Sequence, residues 1–363
     1  MNKTKGPSIY YFHDKAIHDG LSQHNVSKNK TKQMLLDKGV FVSDSDDKDE
    51  YVEYLSSYIF DFKDKDNLSQ ILQVVPRREH VKSIRINDPD ENTAISNENV
   101  RQALKNIKDS FSQDDDVEVK VLTTINGSSI EVHYKKYDLT KPEMKQVEQK
   151  KATIEILVEN GGLTVRAPAN DFSEKIVDSF KSYVAQEVKS DLKTEEINLS
   201  GVFDYSLITK FFQLLINQID GYVLHDVTNV KLYHPVSETE VSEDSEDSVS
   251  LSNIKRAILH GEKVLISPEL NLLFERGFHI SFIQWTSDDS TTSSGDRISF
   301  EASLKDPLNK TDFTYQVRGI QRYSDRTSDI TNRLTIPSNI EKRNLHNLLE
   351  VSAQKAFMEV SSS

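Results

Sequence analysis

The sequence predicts an α+β protein, with a helical module at the N-terminus, a mixed α/β region in the middle and an antiparallel meander flanked by helices at the C-terminus. Three observations carry this. Asn126-Gly127 sits between two alternating segments, the strongest local signal for a hairpin. Ile298, Phe300, Ala302 and Leu304 alternate with polar residues, the period of a strand. Val100, Leu104, Ile107 and Phe111 recur at helical spacing.

Four segments follow along the chain: 1–76, helical; 77–236, mixed; 237–250, an acidic linker or loop; and 251–363, a β-meander with helices. In the first, Ile9-Tyr10-Tyr11-Phe12 is a compact aromatic run. A helix is expected over Lys28–Asp37, with Ser27 as its cap and Gly39 as its stop, since glycine accepts the left-handed conformation. Ser45 or Asp46 caps a second helix that presents Tyr51, Val52, Tyr54, Leu55 and Tyr58. Asp61 to Val74 forms a third, and Pro76 ends it.

In the mixed segment, Val81–Ile86 reads as a strand and Ser96–Phe111 as a helix. Hairpins are expected at 117–124 with 129–137, and at 153–158 with 163–167. Helices follow at Ser173–Val188 and Tyr205–Ile219. The latter is apolar nearly all round, as in a central core helix or an interface. Residues 238–247 crowd six acids among serines. Like charges without an apolar anchor predict a mobile linker.

The last segment is expected to open with a helix at Asn253–His260. A second starts at Ser267-Pro268-Glu269 and stops at Gly277. Strands at 278–285, 297–304 and 313–320 form the meander, with one face buried and one wet. Ile340–Val360 closes the chain as an amphipathic helix.

Composition excludes several chemistries. The 363 residues contain no cysteine, which removes disulfides, thiolate nucleophiles and cysteine-ligated metals. Neither GxxxxGK[ST] nor GxGxxG occurs, and no GxSxG elbow marks a hydrolase. No cofactor is expected. No apolar run nears the ~20 residues that span a bilayer, and the N-terminus lacks a signal peptide's apolar core, so a cytoplasmic location without membrane partners is expected. The net charge of −13 repels nucleic acid overall, so any contact with it needs a local basic patch.

One such patch is Lys28, Lys30, Lys32 and Lys38. The stretch Lys32-Gln33-Met34-Leu35-Leu36-Asp37-Lys38-Gly39-Val40-Phe41-Val42, followed by Glu50-Tyr51-Val52-Glu53-Tyr54-Leu55, resembles a SAP-like or helix-extended-loop-helix module. The resemblance covers about residues 28–58. It implies that the first helix and its lysines lie against a nucleic-acid backbone. Asp44, Asp46, Asp47, Asp49 and Glu50 depart from a good binder. A module that docks protein is the competing reading.

Pro89-Asp90 with Glu118-Val119-Lys120 imitates the spacing of a PD-(D/E)xK nuclease, whose acids hold a metal and whose lysine assists water. The helix expected at 96–111 interrupts that arrangement. His13, His18 and His24 are spaced poorly for a metal and read as surface residues. Trp285 with Phe278, Phe282, Phe300, Phe313 and Tyr315 offers a base-stacking face, although the alternation assigns most of them to the core. Arg318, Arg322, Arg326 and Arg333, with Lys310, form the densest cationic run.

The chain as a whole resembles uncharacterised bacterial proteins encoded beside anti-phage systems. The function expected is that of a non-catalytic subunit or accessory factor of a larger complex, with a protein partner or homo-oligomer and with nucleic acid contacted through the N-terminal lysines. The alternatives are a divergent metal-dependent nuclease and a protein-interaction scaffold that never touches nucleic acid.

Overall fold

The computed structural model describes residues 12–72, 79–88, 95–124, 127–141, 143–159, 162–235, 254–292 and 294–362. The acidic segment expected at 237–250 lies outside them, as do Asp90 and the run Ile9 to Tyr11. The fold is mixed α+β, and every described strand pair is antiparallel. The chain divides into two compact units, one of residues 1–77 and 100–154, the other of 78–99 and 155–363.

The first unit opens with four short helices, α1 (Asp14–Leu21), α2 (Lys28–Asp37), α3 (Lys48–Ser56) and α4 (Phe62–Leu72). They bury one small core of Ile17, Leu21, Leu35, Tyr51, Leu55, Leu68 and Leu72. Ser27 caps α2 as expected, its side chain accepting from the Lys30 amide. The cap of α3 is Asp47 rather than Ser45 or Asp46. Asp47 and Glu50 close a reciprocal capping box, which satisfies two otherwise orphaned amides. This unit also holds most of α5 (Asn97–Phe111) and the hairpin of β2 (Val117–Thr124) with β3 (Gly127–Tyr137). Helix α5 buries Val100, Ala103, Leu104 and Ile107, the stripe read from the sequence.

In the second unit the strand order is β5-β1-β11-β10-β9-β7-β8, with the end of β4 (Val147–Glu159) beside β5. These strands are β1 (Val81–Asn87), β5 (Gly162–Pro168), β7 (Tyr222–Tyr233), β8 (Arg256–His260), β9 (His279–Asp289), β10 (Arg297–Asp306) and β11 (Thr311–Ser324). The short strand β6 (Lys193–Glu195) adds to β1, and β12 (Asp329–Thr335) adds to β11. Helices α7 (Tyr205–Asn217) and α9 (Asn339–Ser361) cover one face of this sheet. The core there includes Trp285, Phe300, Phe211, Phe212 and Phe313, with Phe211 edge-on to both Phe212 and Phe313 at 5.3 Å. Helix α6 (Asp171–Val188) packs on β5, and α8 (Pro268–Glu275) starts from its Ser267 cap.

Two differences from the expectation stand out. Residues 256–260 form strand β8 and not the helix read at 253–260. Ala257 and Leu259 pack inward while Ile258 is exposed, a period of two that five residues cannot separate from a helical one. Its partner is β7, a segment to which no strand was assigned from the sequence, and pairing with β7 decides the state. The second face of the meander is also less wet than simple alternation implies. Ser299, Ser303, Thr314 and Gln316 are buried, and Ser303 bonds to Thr314 at 2.9 Å, so small hydroxyls satisfy one another without water.

Candidate functional site

The four lysines of the N-terminal module start from a well-defined local geometry. Gly39 has φ +78°, in the left-handed region, and its amide donates to the Leu36 carbonyl at 2.9 Å. This ends α2 and turns the chain into the extended segment before α3. The turn brings Asp44 back against α2. Lys28 donates to the Asp44 carbonyl at 2.9 Å, and Lys32 forms an ion pair with the Asp44 carboxylate. That hydrogen bond raises the pKa of Lys32 and lowers that of Asp44. Lys38 is held elsewhere, by Asp64 at 2.6 Å and by the Ile59 carbonyl at 2.8 Å, with its ammonium 5.1 Å from the Phe60 ring centre. Lys30 stands exposed. The fold therefore brings Lys28 and Lys32 together on an acid, places Lys38 at the α4 end of the module, and does not assemble all four into one cationic face.

The same module exposes large apolar groups. Phe41 is 88% exposed, Ile59 89% and Phe62 79%, with Tyr54 and Tyr58 close to half exposed. Ile59, Phe62 and Tyr58 line a groove of about 410 Å³, together with Phe12, Asp14 and Asp61. Asp61 caps α4, accepting from the Asp64 amide at 2.8 Å, and this bond holds its carboxyl below the usual range.

The remaining candidates separate. Glu118 and Lys120 are neighbours on β2, both well exposed and paired with each other at 3.0 Å. Among the described residues no group of three or more His, Asp or Glu could hold a metal ion. His13 lies 3.9 Å from Glu143, and His18 lies 3.7 Å from Asp19. Trp285, Phe300, Phe313 and Tyr315 are core residues with no open face for stacking. Arg318 bonds to Gln284, and Arg322 spans Asp296 and Glu341 at 2.7 Å each. Lys310 is buried, donating to the Val202 carbonyl at 2.7 Å. Arg318 and Arg322 are thus engaged within the fold, while Arg326 and Arg333 are exposed.

Two clusters escaped the sequence reading. His80 Nε2 meets Glu301 at 2.5 Å, while its Nδ1 lies 3.2 Å from Thr314 Oγ1 and 3.5 Å from Ser303 Oγ. An acid, an imidazole and a hydroxyl in series resemble a hydrolytic relay. Thr314 is fully buried and Ser303 nearly so, which leaves no access for a substrate, and the cluster ties His80, the residue before β1, to β10 and β11. His80 is 223 residues from Ser303, so no motif could have joined them. Beside it, Lys82 bridges Glu196 and Asp312 at 2.9 Å each, at the side of a cleft of about 450 Å³ under α6.

Fold and site together define a mixed α+β protein whose N-terminal helical module offers an apolar groove lined by two acids and one lysine. Residues 15–75, that is 61 of 363, match the family model of the GAPS4b protein N-terminal domain. The match falls on α1–α4, the segment in which the SAP-like pattern was read. The residues are thus similar to the GAPS4b domain, while the SAP-like resemblance rests on pattern alone. No curated protein matches the chain. Among the described residues, no helix is long and apolar enough to cross a membrane.

Proposed function

We propose that this chain is a non-catalytic subunit of an anti-phage defence complex and that its N-terminal module docks protein. The observation that carries the reading is the match of residues 15–75 to the GAPS4b N-terminal domain, a family name associated with anti-phage defence. The groove beside Ile59 and Phe62 supports a docking role for that module. The pairing of Lys28 and Lys32 with Asp44, and of Lys38 with Asp64, weighs toward protein contact and away from phosphate contact.

The test is a phage challenge of cells carrying the chain with its neighbouring genes. Size exclusion with light scattering of the co-expressed proteins accompanies it. Loss of protection on deletion, together with a stable hetero-complex, is expected. Full protection without the chain would overturn the reading. The nuclease alternative predicts that Glu118→Gln abolishes protection. The subunit reading predicts that it does not, because Glu118 is an exposed partner of Lys120.

A further inference from the structure

We infer that the groove between the start of α1 and the α3–α4 junction is the seat of a basic, apolar-anchored segment of a partner protein. The inference rests on the subunit reading above and names the chemistry of its partner.

Ile59 and Phe62 present the groove's most exposed apolar side chains. Both are more than three-quarters exposed, although they sit on either side of Phe60, which packs into the module core. A junction that turns Phe60 inward and leaves Ile59 before it and Phe62 at the start of α4 outward leaves a large part of its apolar surface unburied. Monomeric proteins rarely present such a contiguous apolar patch without a use for it. The groove of about 410 Å³ is within the range of peptide and ligand sites. It suits a few side chains of an extended strand or helix, not a domain.

Charge selects the occupant. Asp14 and Asp61 line the groove against one cation, Lys65, so the lining is acidic by one charge. Between Phe41 and Asp66 the chain carries nine acids against three lysines. Of the module's cations, Lys38 is consumed by Asp64, and Lys65 lies over the Phe12 ring. An incoming apolar side chain flanked by lysine or arginine meets complementary potential, which favours encounter and register. A second copy of this chain would set the same acids against each other, so self-association through this surface is disfavoured. The chain's own residues 1–11, with Lys3, Lys5 and Ile9-Tyr10-Tyr11, share the partner's chemistry and are the competing occupant.

The experiment uses the full chain and three labelled probe peptides. One is an amphipathic Lys/Leu helix, one its Glu/Leu counterpart and one a Lys/Ser peptide without apolar residues. Fluorescence anisotropy is read at moderate salt. The Lys/Leu probe is expected to bind, and the other two are not. Ile59→Ser/Phe62→Ser is expected to weaken binding at least tenfold. Asp14→Asn/Asp61→Asn is expected to weaken it three- to tenfold, and Asn at position 61 keeps the cap. Exposed positions leave the fold intact, which a thermal melt checks. Equal binding by the Ser variant overturns the inference. So does binding that appears only after deletion of residues 1–11, which assigns the groove to the chain itself. A dimer that dissociates in the Ser variant assigns it to a second copy. Phage protection that persists with the chain deleted sinks the subunit reading and leaves the peptide result standing. A failed peptide result with protection intact sinks only the groove.

Discussion

Arg166, on β5, grips Glu350, on α9, with two parallel bonds, Nε to Oε1 and Nη2 to Oε2, each 2.7 Å long. The guanidinium is almost wholly buried, and it also reaches Glu155 at 2.6 Å. Tyr315 donates to the same Glu350 carboxylate. A strand and a helix 184 residues apart in sequence are thus locked through a desolvated charge pair.

Removing one partner leaves the other buried and uncompensated. Arg166→Met is therefore expected to cost about 3–5 kcal/mol in urea unfolding. The double variant Arg166→Met/Glu350→Met is expected to recover at least half of that loss, because Arg343 still serves Glu155 at 3.2 Å. A double variant as unstable as the single one would show that the cost is steric.

Acid should weaken the second unit through two histidines. Burial pushes His279 down to about 4, with Lys310 adding to the shift. Burial, with Arg166 and Lys342 behind it, pushes His346 down to about 3. Each is neutral in the fold and protonates near pH 6.5 once unfolded. Below that pH the unfolded state binds more protons, so stability is complete above it and falls as pH drops toward 4 and 3. The slope is about 1.4 kcal/mol per pH unit for each residue. His346→Phe keeps a ring against Tyr315, 5.5 Å away, and is expected to remove one share of that slope between pH 6.5 and 3. A pH series of denaturation midpoints measures it.

Gly319 faces strand β12 at close quarters. A Cβ there would lie 2.7 Å from the Thr335 carbonyl oxygen and 2.6 Å from Leu334 Cγ. Because one of these atoms is backbone, the strand must shift. Gly319→Ala is expected to cost about 1–3 kcal/mol and to raise amide exchange across β12. Unchanged exchange would mean that the strand already sits further out.

The N-terminal lysines give a prediction on salt. If Lys28, Lys30, Lys32 and Lys38 touch a phosphate backbone, exposed Lys30 is the one of the four that offers its charge without first breaking a bond to the fold. Lys30→Gln should then lower the salt slope of DNA binding by about one unit. Lys28→Gln/Lys32→Gln should instead loosen the Asp44 loop. A slope reduced by two or more in the latter pair would restore the four-lysine face.

Much of the local architecture was legible in the sequence because short-range rules govern it. Ser27 with Gly39 delimits α2, Ser267-Pro268 starts α8, and β2 pairs with β3 as the Asn126-Gly127 signal predicts. Caps, turns and the 3.6- and 2-residue periods act over a few bonds, and neighbouring residues suffice to state them. Helix α9 falls within a residue of its expected bounds for the same reason, with Ser338 and Glu341 closing a capping box at its start.

Long-range geometry was not legible. The sequence by itself determined an α+β chain without cysteine chemistry, the positions of most helices and hairpins, and the apolar stripes that form the cores. The tertiary structure alone decided that 256–260 pair with β7 as a strand and that His80 meets Glu301. It also decided that Lys28 and Lys32 turn to Asp44, and that Ile59 and Phe62 face outward beside a groove. Each of these depends on contacts between residues whose attraction is weak until the chain has folded. A lysine's partner and an aromatic's exposure are set by which surfaces are left over once the core has packed.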